Sequence, residues 1–385
     1  MKKKRILFFD HTSQLSGGER SLLLILKGIN KEKFKPILVT PEQGSFPQKA
    51  ALIGIETGRI SIPKMVLERK RKKIGVLFLI FSFFMSLSSV FRLLFFIKKK
   101  RIDIIYTNSQ KAHLIGLFAG LLAGVPVIWH FRDILNNGTT KQIVRVLGVL
   151  FTKNIIAISR VVAEQFGMCD KKVRLVYNAI DVSDFERRKR DVKTDLREEY
   201  GLPRDSKIVA SVGQIAEWKG LKYLVYSAKE LVKVFDNLYF FIVGKPFFKE
   251  IGYSVGIQNL VKLLSLQKRL FFTGFRKDVP GIMDDIDILL HTPIEPEPFG
   301  RVIIEAMAAG TVVVAFDNGA IGEILSDGTG LLVSPFDIEG LTQGISTLLK
   351  DRALYKKIAE KSVDYVRARF DSPLLISRIE KILED

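Results

Sequence analysis

Two glutamates eight positions apart, Glu297 and Glu305, bracket the segment Pro298-Phe299-Gly300-Arg301-Val302. Pro298 and Gly300 suit a turn, and residues 302–309 suit a helix that Gly310 stops. Backbone amides at Phe299, Gly300, Arg301 and Val302 would then form an anion site at the helix start. Glu305, about a turn inside, can accept hydrogen bonds from ribose hydroxyls. Glu297, before the turn, can hold sugar hydroxyls. A solvated surface pair is the competing reading, which the apolar, Gly/Pro-punctuated setting disfavours.

Two more segments offer anion sites. Gly213 to Gly220 follows an apolar run and holds Gln214 and Lys219. A lysine at the mouth of a sheet can neutralise a diphosphate, although a surface lysine before a helix is also common. Ser16-Gly17-Gly18-Glu19-Arg20 has the same strand, glycine turn and helix layout. An ordinary tight turn explains those glycines equally well. The dinucleotide fingerprint G-x-G-x-x-G is absent at this turn, which disfavours a nicotinamide oxidoreductase. His130 ends another apolar run and precedes Arg132 and Asp133, a place that suits a cleft residue or a satisfied structural histidine. Asp285-Ile286-Asp287 spells D-x-D, but it enters the apolar run 288–290 and reads better as strand than as a metal site. With four histidines and the single Cys169, no metal site and no disulfide is expected, and a reducing, cytoplasmic home follows.

These residues need a scaffold. Apolar runs at 5–9, 36–39, 102–106, 125–129 and 154–158 form one series, and those at 208–212, 238–243, 270–273, 286–290 and 311–316 a second. Such runs are continuous rather than alternating, as in parallel strands buried on both faces, and helix-like segments separate them. The expectation is an α/β chain of two doubly wound domains, which its 385 residues can fill. The charged stretch 181–206 reads as their linker.

The net charge is +19, from 60 basic and 41 acidic residues. Its distribution points to an anionic membrane surface and away from nucleic acid. Basic runs at 69–73 and 98–101 flank the Phe- and Leu-rich stretch 74–97, whose only charge is Arg92. An interfacial helix is the expectation there. A buried core helix and a spanning helix stay open, although spanning would split one sheet. The start Met1-Lys2-Lys3-Lys4-Arg5 resembles a secretory signal, but Asp10 and His11 end the apolar run too early.

Taken together, these motifs resemble retaining glycosyltransferase family 4. Glu297 to Glu305 is similar to the family's E-x7-E signature, and Gly213 to Gly220 resembles its G-R-x-x-x-x-K-G element. Residues 317–333, 176–181 and 129–133 resemble further family stretches in the right order. The resemblance implies the GT-B fold: two Rossmann-like domains facing across a cleft, at 1–180 and 207–370, with 371–385 crossing back. It implies a nucleotide-diphosphate sugar as co-substrate. Lys219 would hold the diphosphate, Glu297 with the Phe299 and Gly300 amides the sugar and phosphate, and Glu305 the ribose. Gly17 and Gly18 would pass close to the donor, and His130 would face the transferred sugar. Gln214 departs from the family's arginine, which leaves more of the load to Lys219 or Arg301. Gly319-Ala320 replaces a pair of glycines.

The expected function is metal-independent sugar transfer, with retention, to a lipid-linked or polysaccharide acceptor at the cytosolic membrane face. A nucleotide-sugar epimerase of the same fold and a non-catalytic membrane-surface protein are the alternatives.

Overall fold

The computed structural model describes residues 3–63, 76–135, 138–168, 170–185 and 194–385. The basic run 69–73, Cys169 and the basic run 187–190 lie outside these residues, as do the first two positions of the 74–97 stretch. The chain divides into two units, Met1–Asn178 with Ser372–Asp385, and Ala179–Asp371. Stretch 181–206 belongs to the second unit.

In the first unit, β1 (Lys4–Phe9), β2 (Phe34–Thr40), β3 (Glu56–Arg59), β4 (Ile104–Thr107), β5 (Val127–Phe131), β6 (Asn154–Ala157) and β7 (Val173–Leu175) form one parallel sheet. Their order is β3-β2-β1-β4-β5-β6-β7. Ile6 to Phe9 are wholly buried, because a central parallel strand is covered by helices on both faces. The chain passes outward through α1 (Gly17–Gly28) and α2 (Ser45–Leu52). It returns through α3 (Val76–Lys100), α4 (Gln110–Ala123), α5 (Thr139–Phe151) and α6 (Arg160–Glu164). Right-handed crossovers put these two sets of helices on opposite faces. The C-terminal helix, Ser372–Glu384, packs on α1, where Ile376 fills the space beside Gly28.

The start of α1 is written locally. Ser16 and Glu19 make a capping box, in which the Glu19 carboxylate accepts from the Ser16 N–H at 3.0 Å. This places Gly17 and Gly18 in the first turn of the helix.

The second unit contains α7 (Leu196–Glu199), β8 (Lys207–Val212), α8 (Leu221–Leu231), β9 (Leu238–Val243), α9 (Ile251–Leu263), β10 (Leu270–Gly274), α10 (Val279–Asp285) and β11 (Ile288–His291). It continues with α11 (Arg301–Ala309), β12 (Val312–Phe316), α12 (Ile321–Ile324), β13 (Leu331–Val333), α13 (Ile338–Lys350) and α14 (Arg352–Arg369). The strands are again all parallel, in the order β10-β9-β8-β11-β12-β13.

Both units share one device. Asp103 stands just before β4 and accepts the Arg5 N–H of β1 at 2.7 Å. Asp287 stands just before β11 and accepts the Ile208 N–H of β8 at 2.9 Å. Each carboxylate satisfies an N–H that the neighbouring strand starts too late to reach. Residues 102–103 and 286–287, expected as strand, therefore precede the strands.

Among the described residues no helix is long and apolar enough to cross a membrane. Over residues 90–97 helix α3 is half embedded: Val90, Leu93 and Ile97 are buried, whereas Phe91 and Phe95 are exposed. The stretch thus carries both a core-facing and an outward-facing apolar side.

Candidate functional site

In a doubly wound sheet, ligands settle where successive crossovers diverge, at the carboxyl ends of the two central strands. In the second unit those strands are β8 and β11. Gly213 follows β8, and His291 is the last residue of β11. The loop after β8 carries Lys219 on a short 3-10 turn, Glu217–Lys219. Two bonds tie that loop to the exit of β11: Ile294 N–H donates to the Trp218 carbonyl at 2.8 Å, and Thr292 Oγ1 to the Gly220 carbonyl at 3.2 Å. The Lys219 ammonium lies 4.1 Å from the centre of the Trp218 ring. Ser211, Gly213, Gln214, Lys219 and His291 line one pocket.

Glu297 meets Lys219 here. Lys219 Nζ lies 2.7 Å from Glu297 Oε2, and His291 Nε2 lies 3.3 Å from the same oxygen. Burial opposes the carboxylate's charge, yet the Lys219 ammonium and the His291 ring hold it well below the usual range. Burial and Lys219 together push His291 down, so the ring is neutral and donates through Nε2. Both protein partners act on Oε2, which leaves Oε1 for a ligand.

The backbone around Glu297 is fixed by a pairing with Gly319. Ala320 N–H donates to the Glu297 carbonyl at 2.9 Å, and Glu297 N–H to the Asn318 carbonyl at 3.3 Å. Gly319 sits at φ +77°, and a Cβ there would fall 2.4 Å from the Glu297 carbonyl oxygen. Only glycine lets these two chains approach so closely.

Phe299 is buried and meets Phe370 edge-on at 5.8 Å between ring centres. Gly300, at φ +86°, leads directly into α11, which begins with Arg301 and Val302 and has no side-chain cap. Glu305 lies one turn in and pairs with Arg301 at 3.2 Å. Glu297, Lys219 and Gln214 therefore gather around β8 and β11, and Arg301 and Glu305 form a separate pair on α11.

Gly17, Gly18 and His130 belong to the first unit, at its own divergence point between β1 and β4. Here Asp10 is fully buried and accepts from Asn108 Nδ2 at 2.7 Å and Ser109 Oγ at 3.0 Å. Burial works against its charge, but His11 and these donors hold its carboxyl below the ordinary value. His11 Nδ1 also lies 2.6 Å from Ser109 Oγ. Arg132 donates to Asn108 Oδ1 at 2.7 Å and Asn178 Oδ1 at 2.5 Å, and reaches His130 Nδ1 at 3.1 Å. Gly18 leaves room for the Arg132 stem, which a Cβ would approach to 3.4 Å. His130 is fully buried, bonds Tyr106 and Arg132 through Nδ1, and has no hydrogen-bond partner at Nε2. Burial first and Arg132 second keep its ring neutral.

Known proteins share this construction. The sequence model of "Glycosyltransferase Family 4" matches residues 15–184, and that of "Glycosyl transferases group 1" matches residues 192–364. The chain belongs to glycosyltransferase family 4. N-acetyl-alpha-D-glucosaminyl L-malate synthase of Bacillus anthracis is 30% identical over 56% of this chain. The chain spans about half of that relative, 54% of its length. A UDP-Gal:alpha-D-GlcNAc-diphosphoundecaprenol alpha-1,3-galactosyltransferase of Escherichia coli is 25% identical over 70% of this chain and 71% of its own. The crystal structure of Anabaena Alr3699/HepE in complex with UDP and glucose matches with a TM-score of 0.83 at 26% identity, covering 99% of both chains. The fold is the GT-B α/β fold.

Within this family frame, sequence reasoning missed His291, Asp10, His11, Asn108 and Ser109. His291 carries the same signal as His130, a histidine ending an apolar strand. The D-x-D pair is accounted for by cations: Arg197 binds Asp285 at 2.8 Å and Asp287 at 2.9 Å, and Lys207 binds Asp287 at 2.8 Å.

Proposed function

We propose that this chain transfers a sugar, with retention, from a nucleotide-diphosphate donor to a lipid-linked or polysaccharide acceptor at the cytosolic face of the membrane. The observation that carries this reading is the Lys219–Glu297–His291 cluster at the carboxyl ends of β8 and β11. A cation there suits a diphosphate, and the unshared Oε1 of Glu297 suits a sugar hydroxyl. The UDP and glucose named with the Anabaena structure, and the diphosphoundecaprenol acceptor in the Escherichia coli enzyme's name, support the donor and acceptor classes.

In this mechanism the bond from the anomeric carbon to the donor phosphate oxygen breaks as the acceptor oxygen attacks from the same face. The acceptor proton passes to the departing phosphate. Lys219, Arg301 and the start of α11 stabilise the charge that develops on the diphosphate, with no metal. The anomeric configuration of the product, read by NMR, tests this step, and inversion refutes it.

The donor site is tested by thermal shift with UDP, GDP, ADP and their sugars. A ligand at 100 times its dissociation constant stabilises by about 2.7 kcal/mol. Protection by one base, weakened in Lys219→Ala and Glu305→Ala, is the expected result. No protection by any nucleotide would favour the non-catalytic membrane-surface reading.

A further inference from the structure

Helices α3, α4 and α5 cover one face of the first unit's sheet, and none of them contains an aspartate or glutamate. All three present large apolar side chains outward: Phe91 and Phe95 on α3, Leu121 and Leu122 on α4, Val146 and Leu150 on α5. On α5 only Val144 and Gly148 are buried. Ile143, Val146 and Leu150 recur at the spacing of one helical stripe, and that stripe faces solvent at 39%, 51% and 62% exposure. An amphipathic helix normally turns such a stripe into the core, so this one lacks its expected cover.

The charges on the three helices are all basic: Arg145 is exposed beside the stripe, and Lys98 and Lys99 are exposed at the end of α3. Arg101 and Lys153 follow α3 and α5, with the carboxylate of Asp103 beside them. The three helices each return between parallel strands, so they point the same way and their C-terminal ends share one edge of the sheet. Exposed apolar groups ringed by cations, with no carboxylate on the helices, match a bilayer bearing anionic headgroups. A second copy of the same face fits poorly, because self-association would bring like charges together.

We propose that the α3–α4–α5 face is the surface by which this chain sits on an anionic phospholipid bilayer, with the outward stripe of α5 entering the interface. This extends membrane contact beyond the 74–97 stretch to two helices with no part in that expectation. It rests on the proposed function only for why a bilayer is there.

The test is co-sedimentation with vesicles of phosphatidylcholine alone and of phosphatidylcholine with phosphatidylglycerol. The full chain is expected to bind only the anionic vesicles, and less in high salt. Val146→Glu with Leu150→Glu should weaken partitioning about tenfold or more. Lys98→Glu with Lys99→Glu should weaken it on anionic vesicles. Leu263→Glu, at a 78% exposed position of the second unit, should leave it unchanged. Both α5 positions are exposed, so folding is retained, which Trp129 fluorescence checks because Gly148 of α5 packs on that ring. The proposal is overturned if the chain ignores both vesicles, or if the α5 variant binds like the unaltered chain. It is equally overturned if that variant only splits a dimer into monomers. Thermal shift with the UDP, GDP and ADP sugars, run without vesicles, reports the donor reading separately: failure of all of them beside intact vesicle binding removes the proposed function and leaves this surface standing.

Discussion

Lys219 and Glu297 are 78 residues apart in sequence, and their side chains meet at 2.7 Å with little of either exposed. The pair predicts a specific pattern of stability. Lys219→Ala strands a buried carboxylate and should cost about 3–5 kcal/mol. Glu297→Gln added to Lys219→Ala removes that charge and should recover part of the loss. Chemical denaturation of the two single variants and the double variant measures the coupling. If the losses simply add, the pair is not coupled. All three variants should lose protection by nucleotide sugar.

His291 reaches the same Glu297 oxygen as Lys219. Its neutral Nε2–H donates to a charged oxygen, a bond worth about 1.5–3 kcal/mol. His291→Leu should therefore raise the KM for donor about tenfold or more, whereas His291→Gln keeps a donor and should restore most of it. Steady-state kinetics of the two variants decide this. Equal damage from both would mean that ring packing, not the bond, matters.

Gly319 supports Glu297 through the backbone. Gly319→Ala meets the left-handed φ and the Glu297 carbonyl together, for about 2–4 kcal/mol lost. Gly328, at φ +70° with nothing near its would-be Cβ, is the control. Gly328→Ala should cost only about 1–2 kcal/mol. Melting temperatures compare them, and donor protection should fall for Gly319→Ala alone.

His113 makes stability of the first unit depend on pH. Its ring stacks against both Trp129 and Phe131, bonds Thr107 Oγ1 at 2.6 Å, and is pushed down to about 3 by burial. The unfolded chain takes up a proton near 6.5 and the folded one does not until about 3, so stability is lost as pH falls through this window. The expected loss is about 2 kcal/mol between pH 7 and 5. His113→Gln should flatten that slope. Each described unit holds one tryptophan, so Trp218→Phe lets Trp129 fluorescence report the first unit alone.

The local devices were legible in the sequence. Continuous apolar runs announced the central strands of both sheets, because a strand buried on both faces must be apolar throughout. The glycines at 300 and 310 marked helix ends by local backbone chemistry alone. The short edge strand β3, Glu-Thr-Gly-Arg, was not legible: it pairs on one side only and half its residues face solvent. Asp103 and Asp287 also lay beyond sequence reasoning, since their role is to accept an N–H from a strand far away along the chain. At the site, the residue types of Lys219, Glu297 and Glu305 were sufficient to suggest a phosphorylated sugar ligand. Only the tertiary structure could bring His291 onto the same carboxylate oxygen as Lys219, or turn the apolar stripe of α5 away from the core. Spacing along one helix or loop determines which groups are neighbours locally. Which strand ends converge, and which helix face is left uncovered, depends on the order of strands in the sheet.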